Sequence, residues 1–91
     1  MALTWDPKDP DETLDYRLDW SPRLGEDDAI AASSWIVPDG ITMTGPAFDD
    51  SSTSIWLSGG TAGEAYVLTN RVVTDGARTM DQSVRIRVKT K

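Results

Sequence analysis

The last third of the chain, residues 59–91, most constrains the fold. Val84, Ile86 and Val88 alternate there with Arg85, Arg87 and Lys89. Side chains two apart share a face only in an extended strand, so one face of this segment is apolar and the other basic. Asp75-Gly76 supplies a turn before it. Residues 67–73 form the preceding strand: Tyr66, Leu68, Asn70 and Val72 share one face, and Val67, Thr69, Arg71 and Val73 share the other. Apolar residues on both faces are the mark of a central strand. Gly59, Gly60 and Gly63 give the backbone freedom for a sharp corner ahead of it. Gly63 and Tyr66 stand one residue further apart than in the tyrosine corner of immunoglobulin-like domains. The whole reads as the closing hairpin of a small antiparallel sandwich. It indicates a fold and no activity.

The same period recurs upstream. Leu14, Tyr16, Leu18 and Trp20 alternate with Asp15, Arg17 and Asp19, giving a half-buried strand. Residues 21–28 carry Pro22, Gly25 and three acids, which is loop chemistry. Residues 29–37 form a second strand, in which Ile30 and Ala32 share a face with Trp35 and Val37 only if a bulge inserts one residue near 32–34. Trp35 then reads as the central core tryptophan of a sandwich, or alternatively as a ligand platform. After a turn at Pro38-Asp39-Gly40, residues 41–44 form a short strand and residues 45–52 a turn and polar loop. Residues 53–58 place Ile55 and Leu57 on one face and Trp56 on the other, either exposed or covered by a partner. No segment has helical i, i+3, i+4 apolar spacing over three turns.

These segments predict an all-β chain: a small antiparallel immunoglobulin-like β-sandwich of six to eight strands over residues 13–91, behind an extended N-terminal arm over residues 1–12. Pro7 and Pro10 hold the arm extended. Leu3, Trp5 and, weakly, Ala2 are its apolar anchors. Trp5 either packs back on the domain or docks into a partner. The predicted core is Tyr16, Trp20, Trp35, Tyr66, Val84 and Ile86. The predicted partner-binding residues are Leu3, Trp5, Pro7, Pro10, Trp56, Arg85, Arg87 and Lys89. The basic row of the last strand either meets an acidic partner or guards a sheet edge against aggregation.

Composition narrows the function. The chain has 91 residues and no Cys or His. Disulfides, Ser-His-Asp and Cys-His catalysis are thereby excluded, and structural zinc is all but excluded. A formal charge of −6 argues against nucleic acid as a partner. Residues 1–50 hold twelve acidic and three basic side chains, and residues 51–91 hold three and six, so the halves carry about −9 and +3. That asymmetry reflects either an acidic loop-rich half or complementarity between neighbouring copies. No apolar run is long enough for a membrane span. The N-terminus lacks the basic and apolar regions of a secretory leader, so synthesis in a cytoplasm is expected.

Catalytic and ligand motifs are missing. The Asp cluster of residues 6–12 does not fit a calcium loop, and no phosphate-binding glycine pattern occurs. Asp27 and Asp28 are paired carboxylates, but neighbours on one loop do not flank a substrate as glycosidase chemistry requires. No cofactor is expected, and the chain reads as a non-enzyme.

Three stretches carry a family resemblance: Asp9-Pro10-Asp11-Glu12-Thr13-Leu14-Asp15-Tyr16 with Asp19-Trp20; Ile30-Ala31-Ala32-Ser33-Ser34-Trp35; and Ile55-Trp56-Leu57-Ser58-Gly59-Gly60-Thr61-Ala62-Gly63-Glu64, continuing through Tyr66, Thr69-Asn70-Arg71 and Arg78-Thr79-Met80-Asp81. From about residue 5 to residue 90 the chain resembles the phage fibre-tail adaptor proteins, small products of tailed-phage and prophage structural genes. The resemblance implies a virion component without catalytic residues. It would be made in the bacterial host cytoplasm and act in many copies through contacts with tail, fibre or capsid subunits. A tail or fibre adaptor is the leading reading. A head decoration protein and a carbohydrate- or host-surface-binding module, built on the four Trp and two Tyr, are the alternatives.

Overall fold

A computed structural model describes residues 3–91. Met1 and Ala2, the second a weak anchor of the expected arm, lie outside the described residues. The strands are β1 (Leu3–Thr4), β2 (Leu14–Asp19), β3 (Ile30–Ile36), β4 (Ile41–Phe48), β5 (Ser52–Gly59), β6 (Ala65–Thr74) and β7 (Thr79–Arg87), with a 3-10 turn at Ser21–Arg23. They form two packed sheets, β1-β7-β6-β3 and β2-β5-β4. Every pairing is antiparallel except β1 with β7.

Alternation decides which side chains go inside. Tyr66, Leu68, Asn70, Val72 and Thr74 of β6 are buried, as are Val84, Ile86 and Val88 of the last segment, with Leu18, Trp20, Ile55 and Leu57 facing them from the other sheet. Each fully buried aliphatic side chain here contributes about 1.5–3 kcal/mol by leaving water. Strand β6 is central, between β7 and β3. Its second apolar face is uncovered: Val67 and Val73 are exposed by 52% and 38%.

Trp20, rather than Trp35, sits at the centre of the sandwich. Trp20 is 1% exposed. Its Nε1 donates to Asn70 Oδ1 at 2.9 Å, and Thr53 Oγ1 donates to the same oxygen at 2.7 Å. Asn70 Nδ2 in turn donates to Ser33 Oγ at 3.0 Å and to the Ser34 carbonyl at 2.9 Å. A buried polar cluster is tolerated when its members find partners. Trp35 is half-buried on β3, the edge strand of its sheet, and packs against the core from there.

Two boundaries depart from expectation. The bulge in β3 falls between Ile30 and Ala32. Strand β4 does not end at Thr44; it runs on through Gly45 and Pro46 to Phe48, with a register shift between Thr44 and Ala47. Proline is accommodated there because β4 is an edge strand, so a missing N–H interrupts no ladder on its free side.

The segment expected as an extended N-terminal arm is instead tied to the body, running beside β7 as far as Lys8 and turning at Pro10 and Asp11. Trp5 N–H donates to the Arg85 carbonyl, Lys8 N–H to the Arg87 carbonyl and Lys89 N–H to the Lys8 carbonyl, each at 2.9 Å. Trp5 stacks on Tyr16 with ring centroids 4.7 Å apart and lies 6.0 Å from Trp35. The three rings pack against the buried core. Lys8 is fully buried, and its Nζ donates to the carbonyls of Gly59 at 2.6 Å and Asp9 at 2.8 Å. Desolvation outweighs the pull of Glu12, Asp9 and Asp11 and lowers the Lys8 pKa. At the chain's other end, Lys91 Nζ pairs with Glu12 at 2.9 Å and Lys91 N–H donates to Asp9 at 2.8 Å.

The glycine corner is closed by Tyr66, whose Oη accepts the Thr61 N–H at 3.0 Å. A tyrosine hydroxyl reaching back to the backbone five residues upstream is the geometry of a tyrosine corner. Gly60 lies at φ +95, and a Cβ there would stand 2.7 Å from Val88 Cγ2. Both the dihedral and the space therefore demand glycine.

Candidate functional site

The two outer faces of the sandwich differ in chemistry. On the three-stranded sheet, Trp56 projects outward from the middle strand β5, 45% exposed, with Asp15 opposite it on β2 and Thr44 on β4. Its indole lies over Gly45, where a Cβ would stand 3.0 Å from Trp56 Cδ1. Glycine is what lets the ring lie against β4. Beside it a shallow hollow is lined by Asp15, Arg17, Ala47, Phe48, Asp49 and Ser54. Arg17 and Asp49 approach to 3.6 Å at its edge, both exposed. The N–H of Ser51, with the hydroxyl and N–H of Ser52, holds the Asp49 pKa down. Phe48 is 46% exposed. Aromatic anchors with a polar rim are the usual makings of a protein contact.

The outer face of the four-stranded sheet is apolar and basic. Val67 and Val73 of β6 and Ile36 of β3 project from it, with Arg85 opposite Val67. Arg71 and Asp81 face each other across β6 and β7 in a bidentate pair at 2.8 and 3.0 Å. Thr69 Oγ1 and Ser83 Oγ lie 3.1 Å apart one step along. Arg87 and Lys89 continue the basic row and are exposed.

The predicted partner-binding residues therefore do not form one site. Trp56 is on one face and Arg85 and Arg87 on the opposite one. Leu3 is half-exposed beside β7, opposite Val84. Trp5 is engaged with Tyr16 and Trp35, while Pro7 and Pro10 are half-buried against the body. The edge-guard reading of the basic row loses its premise, because β7 is flanked by β1 and by Lys8 rather than by solvent.

Sequence reasoning missed Ile36, Val67 and Val73 as surface residues. The available signal was Arg71, on the same face as Val67 and Val73, which marks that face as open. It also missed buried Lys8, which looks like one more charge in an acidic segment.

Several carboxylates, Asp19, Asp28 and Asp49 among them, accept loop N–H groups. Asp28 accepts the N–H groups of Gly76 at 2.9 Å and Ala29 at 3.0 Å, which depress its pKa. Among the described residues no group of three or more His, Cys, Asp or Glu could hold a metal ion, and no helix is long and apolar enough to cross a membrane.

Comparison with known proteins adds two findings. The model of one protein family, Podophage GP4 fiber-tail adaptor protein gp77, matches residues 8–87. Among solved structures, the chain is similar to the solution structure of the PKD domain from KIAA 1837 protein, with a TM-score of 0.63 and 22% identity over 99% of this chain and 81% of that one. At that identity the likeness shows an immunoglobulin-like fold alone. No curated protein sequence matches significantly.

Proposed function

The chain belongs to the podophage fiber-tail adaptor family, and from that premise we propose that it is a non-enzymatic connector in the virion, joining tail and fibre components through protein–protein contacts. The observation that carries this reading is Trp56, turned outward by alternation along the middle strand of a sheet, with its ring lying over Gly45. A large aromatic side chain kept in solvent by its own fold is poised to be buried by a partner.

An adaptor needs two separate contacts, and the sandwich offers two chemically distinct faces. The Trp56 face carries aromatic and acidic groups. The opposite face carries Val67 among Arg85, Arg87 and Lys89, and suits an acidic neighbour. Each face takes one virion protein, with the adaptor present in several copies per particle. Nucleic acid and membrane are not partners. The N-terminal segment contributes Leu3 at the edge, while Trp5, Pro7 and Pro10 act by keeping that edge in place.

The test is a phage carrying Trp56→Ala, with particles purified and their proteins quantified. The isolated variant should fold as well as the parent, while particles lose the adaptor or the fibre beyond it. Fully assembled, fibre-bearing particles would overturn the role of Trp56. A copy number matching the capsid lattice rather than the tail ring would move the protein to head decoration. Binding of Trp56 to host glycans, read by fluorescence across a panel, would favour the carbohydrate reading.

A further inference from the structure

We propose that the free edge of β3 is a self-association site, at which two copies of this chain pair their β3 strands antiparallel about a two-fold axis through Ser34. The inference rests on how the four sheet edges are treated and does not depend on the family. Exposed edges invite pairing, and proteins blunt them with charge, proline, bulges or brevity. Among the described residues strand β1 is two residues long, and Asp6 and Pro7 follow it. Strand β2 alternates with Asp15, Arg17 and Asp19. Strand β4 carries Gly45-Pro46 and a register shift. Strand β3, Ile-Ala-Ala-Ser-Ser-Trp-Ile, is seven residues without charge, proline or glycine. Its one irregularity ends at Ala32, so residues 32–36 form a regular ladder with β6. Among the described residues these five make no other backbone–backbone hydrogen bond; the Ser34 carbonyl accepts Asn70 Nδ2 at 2.9 Å, and the remaining groups turned away from β6 are open to a new strand.

The order of side chains selects a second copy as the occupant. With Ser34 facing the partner's Ser34, Trp35 meets the partner's Ser33 and Ile36 meets the partner's Ala32. Large side chains then oppose small ones on both faces of the joint. Ile36, at 61% the most exposed large apolar residue among those described, gains a seat over the partner's Ala32 and the adjacent Val73. The charged pair nearest the axis is Arg71 with Asp81, already mutually neutralised beside Ser34. An uncharged strand meeting itself incurs no like-charge penalty. The interface is isologous, and it joins two four-stranded sheets into one of eight strands.

The test is analytical ultracentrifugation of the full chain from about 1 μM to about 1 mM. The mass should rise from monomer to dimer across that range. Ser34→Lys, which places two like charges at the axis, should raise the dissociation constant on the order of 10-fold or more. Thr42→Lys, the same charge on exposed β4, should leave it unchanged. The chain has no cysteine, so Ser34→Cys supplies a small substitution with its own readout. On oxidation it should give a covalent dimer, whereas Thr42→Cys should not. A monomer at every concentration overturns the proposal. So does equal dissociation by the two lysine variants, or absence of the Ser34→Cys cross-link. None of these readouts involves the virion, so failure here and failure of the adaptor role are separable.

Discussion

Trp20 Nε1 and Asn70 Oδ1 lie 2.9 Å apart, joining residues fifty positions distant in the chain, one just past the end of β2 and the other on β6 of the facing sheet. Asn70 serves four partners at once, accepting from Trp20 and Thr53 and donating to Ser33 and Ser34. Asn70→Ala therefore leaves several buried groups unpaired. It should lower unfolding free energy by about 2–4 kcal/mol, read by urea titration with an unchanged m-value. Unaltered stability would mean that water replaces the side chain without cost.

Gly60 and Gly59 both have positive φ, at +95 and +73. Only Gly60 also faces an obstacle, Val88 Cγ2. Gly59→Ala should cost about 1 kcal/mol from backbone strain alone, and Gly60→Ala distinctly more. Paired thermal melts check the order; equal losses would show that Val88 yields freely.

The N-terminal segment should matter to folding as well as to contact. Trp5→Ala removes the stack on Tyr16 and the packing toward Trp35, with an expected loss of about 3 kcal/mol or more. Removing residues 1–8 should destabilise further, since Lys8 and the parallel pairing with β7 go too. A truncated chain that melts at the parent temperature would return this segment to the status of a free arm.

Acid should weaken the fold. Asp28 and Asp49 have pKa values depressed mainly by backbone N–H donors, and Glu12 and Asp9 likewise. A depressed folded-state pKa contributes stability that is fully present above the unfolded value, 3.8 for Asp and 4.5 for Glu, and is lost as pH falls through the folded value. Melting temperature should hold from neutral pH to about 5 and then decline. Asp28→Asn should flatten that decline, because an amide in its place no longer titrates. An identical acid profile in the variant would assign the loss to other groups.

Much of this architecture is written in alternation. The period-two patterns of residues 14–20, 53–58 and 84–89 place Leu18, Ile55, Leu57, Val84 and Ile86 inside and Trp56, Arg85 and Arg87 outside, as found. A strand's two faces follow from the geometry of its own backbone, so neighbours in sequence suffice to read them. The glycine corner was legible for the same reason, since a positive φ is a local demand.

What alternation does not encode is which strand lies beside which. That depends on pairings such as Leu3 with Val84, or Lys8 with Gly59, between residues far apart in the chain. The tertiary structure alone packed Trp5 against the core and put Lys8 under cover. It gave Trp20 the centre in place of Trp35, and made β3 an uncharged edge while shielding β7 with the chain's own beginning. Facing is a local property of each strand and was determined by the sequence itself. Neighbourhood is settled by the competition of all strands for partners, and it decided that Trp56 and the arginine row look out from opposite sides.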